Sequence, residues 1–85
     1  MNRKKFLKRL AEGALQNVAF RDLRNLVEGF GFQLARIAGS HHIFAHPDIR
    51  EAINLQDVTG EAKPYQIRQF LKLVERDNLK LEKEQ

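Results

Sequence analysis

The feature that most constrains this chain is a long stretch with almost no charge. Across residues 29–47 only Arg36 carries one, although Asp, Glu, Lys and Arg make up 31% of the protein. Such a stretch needs a core to lie against, and its punctuation says how it folds. Residues 32–37 (Phe-Gln-Leu-Ala-Arg-Ile) read as a strand, Ala38-Gly39-Ser40 as a short turn, and residues 41–46 (His-His-Ile-Phe-Ala-His) as a second, antiparallel strand. Pro47-Asp48 breaks the hairpin. Residues 52–56 (Ala-Ile-Asn-Leu-Gln) alternate apolar and polar, as a third, half-exposed strand would.

Helical periodicity flanks these strands. Phe6, Leu7, Leu10 and Ala14 recur at helical spacing across residues 3–12, with Gly13 as the stop. Asn17 offers an N-cap for a second helix reaching about Gly29, with a buried stripe of Leu23, Leu26, Val27 and Phe30 and an acid, Asp22, in its first turn. Gly29 and Gly31 permit a tight exit. Residues 59–63 read as a loop. Pro64 opens a final helix, where its missing N–H is harmless, and Ile67, Phe70, Leu71 and Val74 form that helix's stripe. Asn78 is the expected stop, and residues 80–85 are expected to fray. The expected fold is therefore α+β, in the order helix, helix, strand, strand, strand, helix. Helices cover one face of a three-stranded antiparallel sheet and the other face stays open to solvent.

With 85 residues the chain suits a single domain. The absence of cysteine excludes disulfides and thiolate metal sites. No apolar run approaches the ~20 residues of a membrane span, and no signal-peptide hydrophobic region follows the basic N-terminus. The net charge of +4 admits two readings, a polyanionic partner such as nucleic acid or an ordinary soluble surface. The same pair of readings holds for the basic face of the first helix.

All three histidines fall within residues 41–46. Strand alternation sends His42, Phe44 and His46 to one side and His41 and Ile43 to the other. Phe44 is the best core residue of the segment, so His41 is expected on the open face and His42 against or beside the helices. A metal site is not expected: four residues of extended chain hold His42 and His46 ~13 Å apart, whereas nitrogens ligating one zinc lie within ~2.1 Å of it. Ser40 beside His41 in a turn is not a triad, and no nucleophile elbow precedes a helix. The remaining chemistry is that of an exposed imidazole. A group that titrates near neutrality can take the proton from a ribose 2′-OH, so that its oxygen attacks the adjacent phosphate. An exposed histidine is also a common surface residue.

The decamer Gly39-Ser40-His41-His42-Ile43-Phe44-Ala45-His46-Pro47-Asp48 resembles the signature of HicA-type toxins, small RNA-cleaving partners in bacterial and archaeal HicA–HicB toxin–antitoxin pairs. The likeness runs over residues 20–79. It includes Gly29-Phe30-Gly31-Phe32 before the first strand and Lys63-Pro64-Tyr65-Gln66-Ile67-Arg68 opening the last helix. The resemblance implies a double-stranded-RNA-binding-domain-like fold, a cytoplasmic endoribonuclease that cleaves mRNA without metal or other cofactor, and a HicB-like antitoxin as protein partner. It implies no membrane. The family motif reads Gly-Ser/Gly-His, which places the catalytic role on His41. His42 is the alternate, since some members carry the histidine one position later. Arg36, Ser40, Lys63 and Arg68 are the candidate RNA-binding residues. On this reading residues 18–79 form the core, residues 80–85 a charged tail, and residues 1–17 a helical extension that the short family pattern lacks. The third strand is also less basic than in many members. A non-catalytic RNA-binding module of the same fold is the alternative, and a protein-interaction domain is a third.

Overall fold

The computed structural model describes residues 2–82. Asn2 starts the first helix: its side chain accepts the N–H of Lys5 at 3.1 Å, so α1 (Arg3–Ala11) begins capped. Leu10 is buried, and Phe6 and Leu7 pack beside it on the core that α1 shares with α2 (Phe20–Gly29). The expected α2 stripe is fully used. Leu23, Leu26, Val27 and Phe30 are all buried.

The cap of α2 departs from expectation. Ala19, not Asn17, occupies the N-cap, while Asn17 takes a left-handed turn at φ +56°. The reason lies in the sheet. Val18 and Ala19 run alongside an edge strand, the Val18 carbonyl accepting the N–H of Ala62 and the Phe20 N–H donating to Gly60. The start of α2 is thus satisfied by backbone rather than by a side-chain cap.

Four strands form the antiparallel sheet, one more than expected: β1 (Gln33–Ala38), β2 (His41–His46), β3 (Ile49–Val58) and β4 (Glu61–Ala62), in that spatial order. The additional strand lies in the segment read as a loop. Thr59 and Gly60 both have positive φ, at +49° and +88°, which is the two-residue hairpin geometry that folds β4 back on β3. The third strand is also longer at both ends than the alternation of residues 52–56 indicated.

Phe44 and Leu55, on the helix-facing side of the sheet, are buried with Phe32 and the helical stripes. α3 (Pro64–Arg76) completes the layer through Ile67, Phe70 and Leu73, with Leu71 and Val74 half-buried at its margin. Residues 80–82, expected to begin a frayed tail, instead lie against α2. The Glu82 N–H donates to the Gly29 carbonyl at 2.7 Å and Leu81 packs on the core. Residues 83–85 of that expected tail lie outside the described residues.

Two irregularities decide which residues share a face. Between Leu34 and Arg36 the β1–β2 register slips, leaving Ala35 as a bulge. Without it Arg36 would keep the parity of Leu34 and point toward the helices. With it Arg36 pairs with Ile43 on the open face. A second slip between Phe44 and His46 bends the far ends of β2 and β3.

A candidate catalytic face on the open sheet

The turn Gly39-Ser40 sets the site. Gly39 adopts φ +60° and Ser40 does not, the two-residue hairpin pattern that needs glycine at the first position. Ala38 is thereby fixed opposite His41, and the next pair across, in β3, sets His41 opposite Gln56.

On the open face His41 is half-buried rather than fully exposed, because it has a partner. Its Nδ1–H donates to Oδ1 of Asn54 at 3.0 Å, across the strand and one pair along. That bond orients the ring and, in the neutral imidazole, places the proton on Nδ1 and leaves the lone pair on Nε2. Ser40 closes one side of the site. Its hydroxyl oxygen accepts from Nε2 of Gln56 at 3.2 Å, and its hydrogen stays available to a further acceptor. Arg36 is exposed on the same face, paired with Ile43.

The other histidines are occupied by the fold. His42 lies on the helix side, its ring centroid 4.7 Å from that of Phe20 and its Nδ1–H donating to the Ser40 carbonyl at 3.3 Å. His46 is held through both nitrogens. Nε2–H donates to the carbonyl of Phe30, the C-cap of α2, at 3.1 Å, and Nδ1 accepts the N–H of Asp48 at 3.0 Å. Its ring packs edge-on to Phe32, 5.0 Å between centroids. Among the described residues no group of three or more His, Cys, Asp or Glu is placed to hold a metal ion.

The start of α3 approaches this end of the sheet. Gln66, buried, accepts the N–H of Gln56 through Oε1 at 2.8 Å. This satisfies a backbone donor of β3 beyond the short reach of β4. Lys63, at the N-cap of α3, holds its ammonium 5.7 Å above the Tyr65 ring. Arg68 is exposed and lies about 200° around the helix from Gln66, so it faces away from the sheet. Of the residues singled out in the sequence, the fold therefore groups His41, Ser40 and Arg36, sets Lys63 one element away, and separates Arg68. Asn54, Gln56 and Gln66 went unnoticed. The alternation of residues 52–56 already put Asn54 and Gln56 on one face, but only strand register shows that this is the face of His41. A cleft of about 680 Å³ lies at the opposite end of β2, beside His46, Asp48 and Glu51. It is remote from His41, which sits on an open surface of the kind a polymer can cross.

These features define a small α+β domain that presents an oriented imidazole on the uncovered face of an antiparallel sheet. The family model described as HicA toxin of bacterial toxin–antitoxin matches residues 20–75, and the chain belongs to that family. Its members are toxins of toxin–antitoxin systems, so an antitoxin, HicB, is the partner that membership implies. No curated protein and no solved structure matches the chain. Among the described residues no helix is long and apolar enough to cross a membrane.

Proposed function

We propose that this chain is the endoribonuclease of its toxin–antitoxin pair, cleaving mRNA in the cytoplasm without a metal, with His41 as the acid–base residue. The observation that carries the reading is the His41–Asn54 bond, which orients the ring and, in the neutral form, keeps the proton on Nδ1 so that Nε2 serves as the base. Nε2 takes the proton of a ribose 2′-OH as that oxygen attacks the adjacent phosphorus. The bond from phosphorus to the 5′-oxygen breaks, and a second donor, water or a side chain such as Tyr65 or Lys63, protonates the departing oxygen. The products are a 2′,3′-cyclic phosphate and a 5′-hydroxyl. Arg36 and the Ser40 hydroxyl stabilise the charge that grows on the phosphoryl oxygens. Lys63 and Arg68, further off, contact flanking phosphates. His42 is the alternate catalytic residue, and its packing on Phe20 argues for a structural role instead. A HicB-like antitoxin silences the enzyme by covering this face.

Mass spectrometry of a cleaved oligonucleotide tests the chemistry. Cyclic phosphate ends, formed equally in EDTA and blocked by one deoxynucleotide at the cleavage position, are expected. A 5′-phosphate product, or activity that EDTA removes and magnesium restores, refutes it. RNA binding that survives His41→Ala, with no cleavage by the wild type, identifies a non-catalytic RNA-binding module.

A further inference from the structure

The net charge of the chain is not spread over the fold. Residues 1–12 hold five Lys or Arg and one Glu, whereas residues 13–85 hold ten basic and ten acidic residues. The whole +4 is therefore on the first twelve residues. The span that matches the family, residues 20–75, contains seven basic and seven acidic residues and is neutral.

The placement of these charges is only partly suited to the helix: Lys8 and Arg9 lie in the last turn, where the dipole favours cations, but the rest runs against stability. Lys4 and Lys8, and Lys5 and Arg9, are like-charged pairs at i,i+4, which repel. Lys4 and Lys5 sit in a first turn that has no acid, where the helix dipole disfavours cations. All four are exposed, and among the described residues none is ion-paired, whereas Arg24 and Arg76 are. Arg3 differs from them. It turns back to Asn25 and lies so close over Gly29 that a Cβ there would meet its side chain at 2.7 Å, so it fastens α1 to α2. Phe6, Leu7 and Leu10 hold the opposite side of α1 on the core. The basic face is thus presented rigidly to solvent. Lys5 and Arg9, with Asp22, line a groove between α1 and the start of α2.

We propose that the exposed face of α1, carrying Lys4, Lys5, Lys8 and Arg9, is a second binding surface for the phosphate backbone of single-stranded RNA, distinct from the His41 face, and the main source of the chain's affinity for its substrate. This rests on the reading of the chain as a ribonuclease, because a neutral domain needs a source of attraction for a polyanion. Four phosphate contacts account for a slope of about −2.8 in log K against log salt for a single strand.

The test compares full-length His41→Ala with the same chain carrying K4Q/K5Q/K8Q/R9Q, measuring affinity for a fluorescent single-stranded RNA from 0.05 to 0.2 M salt. Over that fourfold range the parent is expected to lose about 50-fold more affinity than the variant. K4Q/K8Q alone should remove about half of the slope, and K4R/K5R/K8R should keep it. Melting temperatures of the variants should change little, since relief of like-charge repulsion is set against the loss of two cations from the last turn, all at exposed positions. An unchanged slope in a folded variant overturns the proposal, including the case where the variant instead loses antitoxin or phosphatidylglycerol vesicles. If the parent does not bind RNA at low salt while the wild type leaves RNA intact, the ribonuclease reading itself fails. Normal cleavage by a wild-type chain whose quadruple variant binds and cleaves equally well removes only the role of α1.

Discussion

Replacing Asn54 tests the site most sharply, because Asn54 touches the imidazole and nothing in the core. Its side chain is exposed, so Asn54→Ala should cost no more stability than the one hydrogen bond it removes, about 0.5–1.5 kcal/mol, or roughly 2–12 °C in melting temperature for a domain of this size. What it removes is the bond from His41 Nδ1–H at 3.0 Å. An exposed neutral hydrogen bond contributes about 0.5–1.5 kcal/mol. If that energy holds the productive tautomer and ring angle, kcat for a minimal RNA falls roughly 2- to 13-fold with KM unchanged, because free rotation restores unproductive rings. His41→Ala, by contrast, should cost about 10²- to 10⁴-fold. Asn54→Asp keeps an acceptor for Nδ1–H and should restore turnover. Its carboxylate also stabilises the protonated ring, so the acid limb of the pH–rate profile should move to higher pH. Single-turnover cleavage across a pH series, with thermal melts beside it, reads all three variants. Full activity in Asn54→Ala would refute the argument that His41 is oriented by this bond. A loss in both Asn54→Ala and Asn54→Asp that follows a fall in melting temperature would make Asn54 merely structural.

His42→Ala should lower the melting temperature by about 4–16 °C, from the loss of packing on Phe20 and of the bond to Ser40, worth roughly 1–2 kcal/mol together. At a temperature where the variant is folded it should retain most cleavage, and an inactive but stable His42→Ala would move the catalytic assignment to His42. His46→Ala should destabilise by about 1–3 kcal/mol, since the Phe30 carbonyl and the Asp48 N–H both lose a partner; a urea melt measures it, and a shift within error would show that water replaces the ring. Co-expression with a HicB-like antitoxin should give a complex in which His41 is shielded from diethyl pyrocarbonate, while a complex that still cleaves RNA at the free rate would show that the partner sits elsewhere.

Much of the fold was legible because it is written in periodicity. The stripe Leu23, Leu26, Val27, Phe30 and the pair Ile67, Phe70 are buried as the 3.6 spacing requires. The assignment of Phe44 to the core and His41 to the other face follows from period two alone. What periodicity could not supply was pairing. β4 is two residues long, too short for any alternation, and exists because Val18 and Ala19 cover its edge. Asn17 looked like a cap because cap preferences are local, whereas the start of α2 is satisfied by Gly60 from a distant turn. Asn54 escaped notice for the same reason, since its value lies in being diagonal to His41, a fact of register rather than of composition. Arg36 was singled out for its charge near the turn, but the bulge that brings it to the open face leaves no mark in the residues that form it.

That bulge gives β1 two phases. Residues up to Leu34 are in step with the core, and residues from Arg36 onward are in step with the turn. Deletion of Ala35, an exposed alanine, would remove little packing and would merge the phases: Leu34 and Arg36 would become neighbours of opposite parity, so Leu34 stays on the core side and Arg36 on the open face. Relatives that differ by one residue in this strand should therefore be aligned from Gly39 backward, not from α2 forward. Counted from the turn, the arginine stays beside the imidazole; counted from the helix, it falls on the wrong side of the sheet.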